Sequence, residues 1–111
     1  MKKHYTAIMA VLLGAILLTG CAVVDVTKTA KGHFDATNPN DVEILVTRPE
    51  RSFEELGTVT ASQFAPQETA KMHNAIRSKA APLGANAVIL SSSGILPNGH
   101  QWATGVAIRY K

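Results

Sequence analysis

Between Val42 and Tyr110 the spacing of apolar and polar positions changes period twice, and the changes mark out a small domain. Val42 to Thr47 is rich in β-branched residues and stops at Arg48, Pro49, Glu50 and Arg51, which reads as a strand and a turn. Phe53 to Ser62 is a second strand, with Leu56, Thr58 and Thr60 on one face and Phe53, Gly57, Val59 and Ala61 on the other. The period then lengthens. Thr69, Met72, Ile76, Ala80 and Leu83 return at helical spacing, opposite Gln67, Lys71, Asn74 and Ser78. Pro66 suits the first turn of that helix. Glu68 near its start and Arg77 and Lys79 near its end match the helix dipole. Gly84 suits the C-terminal cap, and Pro82 requires the last turn to kink or to have ended.

Ala87 to Leu90, extended by Ser91 to Ser93, predicts a third strand. Pro97, Asn98 and Gly99 predict a reversal. Trp102, Thr104, Val106, Ile108 and Tyr110 then alternate with Ala103, Gly105, Ala107 and Arg109 in a last strand. The small residues Ala103, Gly105 and Ala107 leave room for another backbone or subunit to approach. The predicted fold is α+β: a small two-layer β-β-α-β-β domain with one helix packed on a mostly antiparallel sheet.

The N-terminal pattern is different. Lys2, Lys3 and His4 precede an uncharged, largely apolar run from Thr6 to Leu17. A span needs about 20 apolar residues, so this shorter run fits the core of an export signal instead. Leu18, Thr19, Gly20 and Cys21 follow, and the quartet resembles the lipobox of bacterial prolipoproteins. That resemblance implies cleavage between Gly20 and Cys21, with lipid added to the new N-terminal cysteine. Each buried methylene contributes about 0.8 kcal/mol, so two or three acyl chains make a durable anchor. Residues 1–20 are then a removed signal peptide, 21–40 a lipidated cysteine and tether, and 41–111 the α+β domain. Val23, Val24 and Val26 are compatible with a short strand, but the mixed composition up to Asn40 favours a tether reaching roughly 20–25 Å.

Processing changes the charge picture. Losing Lys2 and Lys3 leaves nine basic residues against eight acids, about +1 net, and so balanced a charge gives no basic face for nucleic acid. Cys21 is the one cysteine. Disulfides, common in small exported domains, are therefore excluded, and stability rests on apolar packing.

Leu56 to Val59, Glu68, and the run Lys79, Ala80, Ala81, Pro82, Leu83, Gly84, Ala85, Asn86, Ala87 and Val88 together resemble small bacterial envelope domains. These are the YbjQ-like proteins and the outer-membrane sensor lipoprotein of the Rcs stress phosphorelay. The resemblance implies a compact α+β unit and, from the YbjQ-like members, ring-forming self-association. The sensor lipoprotein has disulfides within its domain, and this chain departs from it there.

Candidate chemistry is sparse. Ser91, Ser92 and Ser93 lack the surroundings of a nucleophile elbow. Glu54 and Glu55 are adjacent, so on a strand they point to opposite faces. His33, His73 and His100 are scattered, without metal-ligand spacing; His33 and His100, both in predicted loops, are the pair the fold has the freedom to bring together. Trp102 reads as a core or rim anchor. No catalytic residue, cofactor or metal site is predicted.

The expectation is a non-catalytic lipoprotein, anchored through Cys21 to the outer membrane on its periplasmic face. Its partner would be another envelope protein or a second copy of itself. A small-ligand or metal-binding lipoprotein using the three histidines is the alternative. Ala22, standing where Asp favours inner-membrane retention in enteric bacteria, supports the outer membrane in a two-membrane host; the inner membrane, or the outer face of the one membrane of a monoderm, is the lesser alternative.

Overall fold

Gln101–Tyr110, the cleanest alternating run in the chain, is the central strand of a five-stranded sheet in the computed structural model, which describes residues 22–111. In chain order the elements are β1 (Val23–Lys28), β2 (Glu43–Leu45), β3 (Phe53–Phe64), α1 (Thr69–Ala80), β4 (Ala87–Ile95) and β5 (Gln101–Tyr110). Across the sheet the order is β1-β3-β5-β4-β2, antiparallel except where β2 joins β4. One helix packs on this sheet, so the fold is the expected α+β type, with an additional strand ahead of the β-β-α-β-β order. Gly20, Cys21 and the signal segment lie outside the described residues.

The helix covers one face of the sheet only. Met72, Ile76 and Ala80 form its buried stripe, packed with Val59, Ala61, Val88, Ala103 and Ala107. Burying a side chain such as that of Ile76, which is fully enclosed, contributes about 1.5–3 kcal/mol. The small face of β5 therefore serves the helix, and Ala103 and Ala107 have no surface left for a subunit. A register shift between Glu55 and Gly57 turns Leu56 into this core, against the strict alternation read from the sequence.

The stretch expected to be a tether is folded onto the domain. Val23–Lys28 pairs residue by residue with β3, from Val23 opposite Ser62 to Lys28 opposite Gly57. The following loop crosses the C-terminal end of the helix. There the Thr37 N–H donates to the Ala81 carbonyl at 2.9 Å, and its hydroxyl to the Ala85 carbonyl at 2.6 Å. Thr37 thus gives the Ala85 carbonyl a donor and adds a second to the Ala81 carbonyl, which also accepts from the Gly84 N–H. The domain accordingly starts at Val23, not at residue 41. Five of the six β1 residues are exposed at an edge, so the strand carries no apolar face of its own that would mark it in the sequence.

The run from Ala81 to Ala87 is explained locally. Ala81–Leu83 is a short 3-10 turn containing Pro82, and Gly84 ends it with φ at 90°. Asn86, just ahead of β4, then ties β5 to β2: its N–H donates to Ile108, its carbonyl accepts from Glu43, and its side-chain oxygen accepts from the Tyr110 N–H.

Candidate interaction surface

Strand direction gives the sheet two unlike ends. At one end lie the start of β1, the end of β3, the start of the helix and the β4–β5 turn. The other end holds the helix C-terminus, the loop after β1 and the β2–β3 connection. His33 belongs to that second end and His100 to the first, so the two do not meet. His73 sits on the helix flank, where burial and then the Arg77 guanidinium hold it below the ordinary histidine value of 6.5. Among the described residues, no three His, Cys, Asp or Glu side chains come together to hold a metal ion.

The face away from the helix is the open one. Thr58, Thr60 and Ser92 are exposed there, with Ile89, Thr104 and Val106 half-buried between them. The hydroxyls of Thr60 and Thr104 lie 3.0 Å apart across the strands, and the Thr104 hydroxyl is 3.3 Å from the Val59 carbonyl. Toward the second end this face is closed. Ile108 and Ala87 are fully buried, and Arg51 and Arg48 of the β2–β3 connection lie over the rings of Tyr110 and Phe53 at 4.1 and 4.6 Å. Beside the open face runs the outer edge of β1, where Val23 and Val26 are exposed.

The other residues singled out from sequence are placed as follows. Ser91 donates to the Thr104 carbonyl at 3.2 Å, and all three serines are exposed. Glu54 and Glu55 are exposed and pair across the sheet with Arg109 and Ile108. Trp102 is half-buried on the open face against Gly94, whose missing side chain makes room for it: a Cβ there would lie 2.8 Å from the indole nitrogen.

A group that sequence did not indicate is the tie around Gln63. Gln63 is the one described non-glycine residue with a positive φ, at 64°. Its side-chain oxygen accepts from the Asn98 amide at 2.9 Å and lies 3.0 Å from His100 Nδ1. Asn98 in turn accepts from the His100 backbone N–H at 3.0 Å. A distortion in β3 thereby holds the β4–β5 turn in place. At the start of the helix, Glu68 folds back to accept from the Ala65 N–H at 2.9 Å and pairs with Lys71 at 3.2 Å. These contacts, the backbone N–H first, hold the Glu68 carboxyl below its ordinary 4.5.

No protein-family model and no curated protein matches the chain. The chain is similar in structure to the crystal structure of a Francisella virulence factor, FvfA, at a TM-score of 0.60. The match is 14% identical and covers 78% of this chain and 97% of the other. At that identity the likeness is one of fold.

Proposed function

We propose that this protein is a lipoprotein of the bacterial envelope, held to the outer membrane through lipid on Cys21 and acting as a non-catalytic interaction module. The anchor is supported by the order of a basic start, an uncharged apolar run and the quartet Leu18–Thr19–Gly20–Cys21. The observation that carries the interaction reading is the sheet face left without a covering layer. Around Thr60, Thr104, Ile89 and Val106 it borders an edge strand with free backbone groups and two exposed valines. Such an edge is a template for pairing with another chain. The partner on this reading is a second envelope protein or another copy of the chain.

Two measurements test it. Membrane fractionation of wild type and Cys21→Ala reads the anchor: the wild type stays with the membrane, and the variant is released. In-cell photo-crosslinking, with the probe at Val26, Thr60 or Ser92, reads the surface. A discrete adduct from these positions, absent with the probe at Ser78 on the helix, supports the module. A lipidated protein that yields no adduct from any of the three overturns it.

A further inference from the structure

We infer that the β4–β5 turn, with Ile95, Leu96 and Pro97, rests on the bilayer that carries the anchor, so that the domain sits directly on the membrane. The inference deepens the lipoprotein reading and rests on it. Its starting point is that Ala22, the residue after Cys21, is joined at once to β1, so no tether separates anchor and domain. Consecutive Cα atoms are about 3.8 Å apart, and lipid on Cys21 therefore brings this end of the sheet to the membrane surface.

The turn lies at the same end and the same height. Val23 pairs with Ser62, in the irregular stretch of β3 between the Ala61–Ala103 and Phe64–Gln101 pairs, and Trp102 pairs with Gly94. Val23, Trp102 and Gly94 thus form one level across the sheet. Beyond it, β4 and β5 continue by one more pair, Ile95 with Gln101, and close through Leu96, whose N–H donates to His100 at 2.7 Å. At about 3.3 Å per strand residue, the turn projects past Val23 about as far as the chain from Val23 back to Cys21 can reach.

The chemistry of this end suits a bilayer. Ile95 is 69% exposed and Val23 44%, two of the four large apolar side chains exposed among the described residues. Pro97 is exposed beside them. No Asp, Glu, Lys or Arg occurs between Lys79 and Arg109; of the charges nearby, Glu68 and Lys71 neutralise each other, and Asp25 stands two residues along β1 from Val23. The Gln63 tie to Asn98 and His100 keeps the turn rigid, so docking orders little that was mobile. Trp102, half-buried one level above, stands where an amphipathic ring meets the interface.

Trp102 is the single tryptophan, which makes it the probe. The lipidated protein, its acyl mass checked on the N-terminal peptide, is reconstituted into phosphatidylethanolamine–phosphatidylglycerol vesicles with and without brominated acyl chains. The expected result is clear quenching of Trp102 by the brominated lipid, because an indole at the interface lies within reach of the acyl chains. A double variant, Ile95→Asp with Pro97→Asp, alters exposed side chains; it should stay vesicle-bound with unchanged melting and lose most of the quenching. Equal emission from both vesicle types, with the acyl mass present, overturns the docking and leaves the anchor standing. Blue-shifted but unquenched emission also overturns it, in favour of a protein contact. A missing acyl mass overturns the anchor, and the docking with it.

Discussion

Gln63 and His100 face each other across the end of the sheet, side-chain oxygen to Nδ1 at 3.0 Å, and the contact is made at the cost of a left-handed backbone at Gln63. The geometry requires His100 Nδ1 to carry the proton when it donates to the amide oxygen. A left-handed non-glycine residue costs on the order of 1 kcal/mol, and it persists here because Asn98 and His100 both hold the side chain. Gln63→Ala keeps the strained backbone and loses both bonds. It should lower stability by about 1 kcal/mol, with faster amide exchange at Leu96 and Gly99. Gln63→Gly should recover part of the melting temperature without slowing that exchange. A glycine variant that restores the protection of the turn would show that the side chain does not hold it.

Gly84 occupies a second left-handed position, and there a side chain has no room. At φ 90° its Cβ would lie 2.6 Å from the Phe34 Cβ and 3.0 Å from the Asp35 carbonyl. Its own carbonyl accepts from Arg109 at 3.1 Å, while the same guanidinium lies over the Phe34 ring at 5.0 Å. Gly84→Ala combines the strained conformation with this clash and should cost about 2–4 kcal/mol. For a domain of this size each kcal/mol lowers the melting temperature by about 4–8 °C, which a thermal melt resolves. A shift of a degree or two would mean that the loop carrying Phe34 moves aside freely.

Where periodicity and burial coincide, the fold was legible. The stripe Met72, Ile76 and Ala80, the cap at Gly84, and the alternation of β5 all follow from sequence because each has one dry face. The edges were legible only in part: β2 lies inside the strand expected at Val42 to Thr47, whereas the valines of β1 did not outweigh the mixed composition around them. β1 and β2 lie at the two margins, where one strand of six residues buries little and the other is three residues long. The small face of β5 left its neighbour open between another backbone and a subunit, and the helix is the one that packs there. Ala103 and Ala107 signal close approach, and small side chains do not say whether a helix or a subunit approaches. Gln63 carried no signal at all, since nothing in a glutamine marks a left-handed backbone. Gly20 and Cys21 remain as the sequence presents them, outside the described residues.

Thr37 tests whether the segment before β2 belongs to the domain. A residue in a free tether tolerates any substitution, whereas here the hydroxyl reaches the Ala85 carbonyl at 2.6 Å beside the helix end. Thr37→Val keeps the shape and removes the donor, so the variant should lose about 1 kcal/mol. Thr37→Ser, which keeps the donor, should lose less. Urea unfolding followed by circular dichroism reads both. Identical midpoints for Thr37→Val and wild type would return residues 29–38 to the tether.

His73 and Glu68 divide the pH dependence between two windows. His73 is held below 6.5 in the folded chain, by burial first and Arg77 second. The unfolded chain therefore binds the proton more readily. Stability from this group is fully present above pH 6.5 and declines as pH falls through the lowered folded value. Glu68 is held below 4.5 by the Ala65 N–H and Lys71, so its contribution is present above pH 4.5 and is lost on further acidification. His73→Gln should flatten the decline in melting temperature just below pH 6.5 and leave the acid limb in place. Glu68→Gln should do the reverse, flattening the limb below pH 4.5 while the histidine window persists. Melts from pH 7.5 to 3.5 on the two variants check both signs. A histidine variant that melts with the wild-type profile throughout would mean that the charged ring finds water as easily in the folded chain as in the unfolded one.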